Sequence, residues 1–128
     1  MRQHSIINSN QAVYADEHLL LDFVSQSATL CGDRLQLTRK EYQLLAHMVQ
    51  HAGEVLTRDT LLRDVWGYGP AMRTRTVDVH VRRLRKKLSH YAERGIETVF
   101  GVGYRFQARH DAHWSSSSVV GRHRRLGD

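Results

Sequence analysis

The chain has 128 residues, 41% of them hydrophobic and 25% charged, and its 19 Lys and Arg against 13 Asp and Glu leave a net charge of +6. That length predicts one domain with a tail at either end, and the apolar share suffices for a modest core. Every apolar run falls short of the about 18 residues a membrane span needs, and residues 1–10 lack the apolar centre of a signal peptide. The single Cys31 excludes an internal disulfide and a multi-cysteine zinc site. A reducing, cytoplasmic setting with no membrane partner is the expectation.

Residues 1–15 are polar, with Ser-Asn-Gln runs and no sustained period, and read as a linker or flexible N-terminus. From residue 16 to 37 the pattern is strand-like. Leu19, Leu21 and Phe23 alternate with Leu20 and Asp22, residues 28–31 form a small apolar run stopped by Gly32-Asp33, and Leu35 and Leu37 flank Gln36. Three or four short antiparallel strands are expected. Thr38-Arg39-Lys40-Glu41 fits a capping box, in which Thr38 accepts from the amide of Glu41 and the Glu41 side chain bonds back. Behind it Tyr42, Leu45, Val49 and Ala52 make one helical face, widened by Leu44 and Met48, and Gly53 is expected to end the helix as a left-handed cap. His47 and His51 stand four apart, but Met48 occupies the place where a zinc-protease helix carries Glu, so the pair reads as surface histidines. Thr57 caps a second, shorter helix holding Leu61, Leu62, Val65 and Trp66, which Gly67-Tyr68-Gly69-Pro70 breaks.

Residues 73–87 hold seven Lys or Arg against one Asp, a local charge of +6, so the rest of the chain sums to zero. A basic character confined to one stretch is what a nucleic-acid footprint produces. At 100° per residue Val77, Val81, Leu84 and Leu88 form a narrow apolar stripe, and Thr76, His80, Arg83 and Lys87 form a polar ridge beside it. Val79 lies almost opposite the stripe, between Arg83 and Lys86, and is expected to be exposed. Such a helix suits major-groove reading, because Arg donates twice to guanine and an exposed methyl meets that of thymine. Asp78 reads as a partner for Arg82, four residues on. The helix is expected to end near His90 or Tyr91, with a turn at Arg94-Gly95. Residues 96–99 and 104–107 then form a hairpin around Phe100-Gly101-Val102-Gly103, whose glycines permit positive φ. From residue 110 the period vanishes. Residues 115–118 are all serine, a low-complexity run, Arg122, Arg124 and Arg125 form a small basic cluster, and a flexible tail is expected.

Strands, two helices, a basic helix and a glycine-turned hairpin describe an α+β winged helix-turn-helix, with the last helix in the major groove. The organisation expected is a linker over 1–15, the winged-helix domain over 16–108 and a basic, Ser-rich tail over 109–128. The alternative is a protein-interaction module on the same fold, whose basic helix meets an acidic partner. RNA binding fits less well, since residues 73–87 carry no aromatic residue other than His80. Nothing resembles a nucleophile with a base, a carboxylate pair or a phosphate loop, so no enzyme, metal or cofactor is expected.

The chain also resembles the winged-helix effector domain of OmpR/PhoB-type response regulators. The resemblance rests on L-T-R-K-E-Y-Q-L-L at 37–45, V-L-T-R-D-T-L-L at 55–62, V-W-G at 65–67, R-T-V-D-V-H-V-R-R-L-R-K-K-L at 75–88 and G-V-G-Y-R-F at 101–106. It implies a four-stranded N-terminal sheet, three helices and a C-terminal β-hairpin wing, binding double-stranded promoter DNA as a homodimer on direct repeats. Base contacts would fall to Val79, His80 and Arg83, and backbone contacts to Arg75, Thr76, Arg82, Arg85, Lys87 and Thr98. The wing would comprise Phe100, Gly101, Val102, Gly103 and Arg105. The loop of Trp66, Gly67, Tyr68, Gly69, Pro70, Ala71, Met72 and Arg73 corresponds to the segment that meets RNA polymerase in family activators. Phe100 stands where many relatives carry an Arg that enters the minor groove; here it either packs under the wing or wedges against sugars. The family's receiver domain has no room in 128 residues, which implies an effector fragment of a parent chain or a stand-alone member.

Overall fold

A computed structural model describes residues 11–67 and 73–116. The expectations for residues 1–10, 68–72 and 117–128, including the arginine cluster near the C-terminus, lie outside the described residues. The chain divides into two compact units, one from residues up to Leu35 together with those from Arg109 onward, the other Gln36–Ala108.

The first unit is an antiparallel sheet of β1 (Val13–Ala15), β2 (Leu19–Asp22), β3 (Ser27–Leu30), β4 (Asp33–Arg34) and β8 (His113–Ser115), in the order β4-β3-β2-β1-β8. Three tight turns build the meander from local chemistry. Asp16 accepts from the amides of His18 and Leu19, both at 2.8 Å, and Asp22, 1% exposed, accepts from Val24 and Ser25. Both are Asx turns, in which a short carboxylate does the work of a backbone carbonyl. Between β3 and β4, Cys31 and Gly32 take φ of 52° and 87°, the pair of left-handed residues a two-residue hairpin requires. Tyr14, Leu19 and Leu21 are fully buried on this sheet.

Two expectations need correction here. The sheet has five strands, because β8 pairs with β1 in the register Val13↔Ser115 and Tyr14↔Trp114. Residues 13–15 and 113–115, expected as linker and tail, are therefore strands. Each is three residues long, too short for a period to show; β1 pairs with the adjacent β2 as well, whereas β8 finds its partner about a hundred residues away.

The second unit begins with the expected capping box. The Thr38 hydroxyl accepts from the Glu41 amide at 3.2 Å, and the Glu41 carboxylate accepts from the Thr38 amide at 2.9 Å. Helix α1 (Arg39–Gln50) buries Tyr42, Leu44, Leu45, Met48 and Val49. It ends earlier than expected, and Gly53, with φ of 87°, lies in the turn beyond and donates to the Phe106 carbonyl at 2.9 Å. A two-residue strand β5 (Leu56–Thr57) follows, which no period announced. Thr57 caps α2 (Arg58–Leu61), accepting from the Thr60 amide at 3.0 Å, and the chain continues as a π-helical turn, Leu62–Trp66. Helix α3 (Arg75–Leu88) stops at Ser89, whose φ of 58° leaves the helical region. A 3-10 turn (Ser89–Tyr91) and a short α4 (Ala92–Gly95) replace the expected turn at Arg94-Gly95.

Strands β6 (Ile96–Val99) and β7 (Gly103–Phe106) form the hairpin, and β5 adds to β7, giving the order β5-β7-β6. Only Gly101 uses positive φ in the turn, at 78°. Gly103 answers a different need: a Cβ there would stand 1.9 Å from the Leu56 carbonyl oxygen. Strand β5 approaches so closely that no side chain fits between. Helices, a third helix held by its apolar stripe and a hairpin make the winged helix-turn-helix expected from the sequence.

Candidate nucleic-acid interface

Helix α3 is held by the stripe that the period predicts. Val77, Val81, Leu84 and Leu88 are each at most 1% exposed. Burial of this kind is worth about 1.5–3 kcal/mol for each large aliphatic side chain. It fixes the rotation of the helix, and so decides which residues face outward.

Arg75, Arg82, Arg83 and Lys86 are exposed. Among the described residues no carboxylate lies within ion-pair distance of Arg82, Arg83 or Lys86. Thr76 and His80 are half-buried. The His80 ring packs edge-on against Trp66, with centroids 4.9 Å apart, and its Nδ1 lies 2.9 Å from the Thr76 carbonyl oxygen. A carbonyl only accepts, so Nδ1 carries a proton and donates, which makes Nε2 the acceptor of the neutral tautomer. Val79 is half-buried rather than exposed, in a shallow open groove with Thr74, Arg75 and Arg82. Long arginine stems flank it and cover methyl surface that a helical wheel leaves bare.

The remaining cations of α3 act within the fold. Arg85 donates to the Ile96 carbonyl at 3.0 Å and to the Thr98 hydroxyl at 2.6 Å, and its guanidinium lies 5.4 Å from the Tyr104 ring centre. Lys87 donates to the Gln36 carbonyl at 2.9 Å and to Glu41 at 2.6 Å. Burial disfavours the Glu41 carboxylate, but the Lys87 ammonium and the Thr38 bonds outweigh it and bring its pKa below the ordinary value. One lysine thus ties the C-terminal half of α3 to the N-terminus of α1.

Asp78 corrects its expected pairing. Its carboxylate accepts from Arg58 Nε at 2.8 Å and from the Tyr104 hydroxyl at 2.6 Å, not from Arg82. A side chain one turn along an exposed face keeps its hydration, whereas Arg58 and Tyr104 converge on Asp78 from α2 and β7. Burial raises the Asp78 pKa, and the Tyr104 and Arg58 bonds more than reverse that, leaving it lowered. The Tyr104 pKa is raised, first by burial and then by the Asp78 charge. Arg58 and Tyr104 carried no signal in the sequence beyond their types, because their partner is distant in the chain.

In the wing, Arg105 forms a two-pronged pair with Glu97, Nε and one terminal nitrogen each at 3.0 Å. Phe100, expected under the wing or against sugars, is 89% exposed, so it does not pack under the hairpin. Trp66, Gly67 and Arg73 border the loop expected to meet polymerase; Tyr68, Gly69, Pro70, Ala71 and Met72 lie outside the described residues. His47 and His51 have ring centres 4.6 Å apart, and His47 Nε2 lies 3.1 Å from Asp64. No group of three metal-ligating side chains occurs among the described residues.

The family model described as "Transcriptional regulatory protein, C terminal" matches residues 32–106. The phosphate regulon transcriptional regulatory protein PhoB of Pseudomonas aeruginosa is 43% identical over 91 residues, covering 71% of this chain and 40% of that protein. The chain spans less than half the length of such curated relatives. Response regulator DrrB of Thermotoga maritima, described as an OmpR/PhoB homolog, is similar in structure with a TM-score of 0.69 and 32% identity, over 76% of this chain and 45% of that one. The RstA DNA-binding domain of Klebsiella pneumoniae, solved in complex with the RstA box, gives a TM-score of 0.66 and 34% identity, over 74% of this chain and 96% of that one. With α3 seated on its apolar stripe, a hairpin wing behind it and a family match across more than half its length, the chain belongs to the C-terminal domain family of transcriptional regulatory proteins, the winged-helix effector domains of OmpR/PhoB-type response regulators.

Proposed function

We infer that the chain binds double-stranded promoter DNA sequence-specifically, as the effector portion of a two-component transcription regulator, with α3 in the major groove. The observation that carries this reading is the division of cations on α3. Arg75, Arg82, Arg83 and Lys86 are exposed, whereas half-buried Arg85 and exposed Lys87 both bond within the fold.

Arg83 is the base reader, donating two bonds to a guanine edge. His80 accepts through Nε2, which suits the amino group of adenine or cytosine, and Val79 offers a methyl contact. Arg75, Thr76 and Arg82 hold phosphates and so set the register without reading sequence. Arg85, Lys87 and Thr98 reach phosphate only with the donors left after their internal bonds. For Thr98 that donor is its hydroxyl proton, since its oxygen accepts from Arg85. The parent protein would act as a homodimer on direct repeats, with a receiver domain and a contact to RNA polymerase through residues 66–73.

In selection from randomised duplexes the wild type enriches one site. Arg83→Ala loses about 1–3 kcal/mol at a single base pair and blurs that position, while Arg82→Ala weakens all duplexes alike. Equal losses for both variants on selected and random DNA would remove the division of labour. Absence of any preference among duplexes of equal length would favour an acidic protein partner instead.

A further inference from the structure

The wing ends in an apolar tip. Phe100 is 89% exposed and Val102 44% exposed, on either side of Gly101. Phe100 is the most exposed of the large hydrophobic side chains among the described residues. An exposed ring forfeits the free energy of leaving water, so the hairpin alone gives it no reason to be there.

The hairpin around it offers no net charge. Its acid and its strong base, Glu97 and Arg105, hold each other through two bonds at 3.0 Å. Arg85 of α3, which touches the hairpin, turns one terminal nitrogen to the Ile96 carbonyl and the Thr98 hydroxyl. Whatever the tip meets, it meets through carbon. The tip is also continuous with the reading surface, since Tyr104–Asp78 and Arg85–Thr98 fasten both strands of the hairpin to α3.

We propose that Phe100, with Val102 beside it, is a minor-groove wedge whose ring lies against the deoxyribose faces of the duplex that α3 reads. The inference rests on the DNA reading above. Sugar faces present C–H groups, so the contact neither reads hydrogen-bond patterns nor releases counterions. It adds affinity that is indifferent to sequence and nearly independent of salt. A cation at this position would instead seek the negative potential of narrow A·T tracts. The wedge accepts A·T and G·C flanks alike.

The test titrates the selected duplex and a random duplex of equal length at several salt concentrations. It uses wild type, Phe100→Ser, Phe100→Arg and, as a control on the reading helix, Arg83→Ala. Thermal melts of the Phe100 variants are expected to match wild type, because the position is exposed. Phe100→Ser is expected to weaken both duplexes about tenfold without changing the slope of log K against log salt. Phe100→Arg is expected to recover affinity at low salt and to steepen the slope by about 0.9. If Phe100→Ser binds like wild type while Arg83→Ala loses its preference, the wedge is wrong and the DNA reading stands. If the wild type prefers no duplex, both fall. Unchanged DNA binding with lost self-association in Phe100→Ser would make a second copy the occupant, and would equally overturn the wedge.

Discussion

Asp78 sits on the most basic helix of the chain, yet its carboxylate serves Arg58 and Tyr104. A helical wheel offers it Arg82, and the wheel cannot weigh residues from α2 and β7 that only folding brings near. The pairing makes Asp78 a positioning residue, fastening the reading helix to the wing. Asp78→Asn keeps the shape and removes the charge. It is expected to cost about 1–2 kcal/mol in urea unfolding, at the low end for bonds to a charged group because Asp78 retains solvent access. Arg58→Ala should lose a comparable part, and Arg82→Ala almost nothing. The same Asp78→Asn change lowers the Tyr104 pKa towards its ordinary value of 10.0, though burial, the larger influence, keeps it above. An ultraviolet titration of the phenol follows that shift. Instability on losing Arg82 but not Arg58 would restore the pairing read from the sequence.

At the scale of the element, the wing depends on an absence of side chain. The Leu56 carbonyl oxygen stands 1.9 Å from where a Cβ of Gly103 would be, and that atom belongs to backbone, which cannot swing aside. Gly103→Ala is therefore expected to separate β5 from β7, costing at least about 2 kcal/mol, with loss of amide protection at Leu56 and Tyr104. Gly101→Ala meets open space and only the strain of a positive φ, about 1 kcal/mol, so the smaller loss belongs there. Equal costs at the two glycines would refute the close approach. The contrast shows what was legible. The stripe of α3, the capping box at Thr38 and the glycine-turned hairpin all carry their cause within a few residues. Strand β5 has two residues and β8 three, and each exists only through a partner far along the chain. The spacing of the two wing glycines was readable, but not that one serves conformation and the other space. The exposed Arg82 and Arg83 followed from the stripe alone; the retirement of Arg85 and Lys87 into the fold needed the positions of β6 and α1.

Across the Gln36–Ala108 unit the same logic orders the carboxylates. Lys87 and Thr38 hold Glu41, Arg63 and His47 hold Asp64, Tyr104 and Arg58 hold Asp78, and Arg105 and Gln107 hold Glu97; all four pKa values lie below their ordinary values. A carboxylate held this way binds protons less readily when folded than when unfolded. Its contribution is present above the unfolded value, 4.5 for Glu and 3.8 for Asp, and is lost as pH falls through the lower folded value. His47 acts earlier on the scale. Burial first, and then the neighbouring His51, lower its pKa below 6.5, against the pull of Asp64. The unfolded chain therefore takes up a proton near that pH while the folded chain resists it, so stability also falls there as pH drops. The expected urea midpoint is level above about pH 7, declines modestly between about 6.5 and 5, and falls steeply below about 4.5. His47→Gln should flatten the first decline and largely leave the second, since Arg63, the larger influence, still holds Asp64 and the other three carboxylates keep their partners. A midpoint that rises on acidification from pH 7 to 5.5 would mean that Asp64 dominates His47, and that the α1 histidines stabilise the domain by charging rather than by staying neutral.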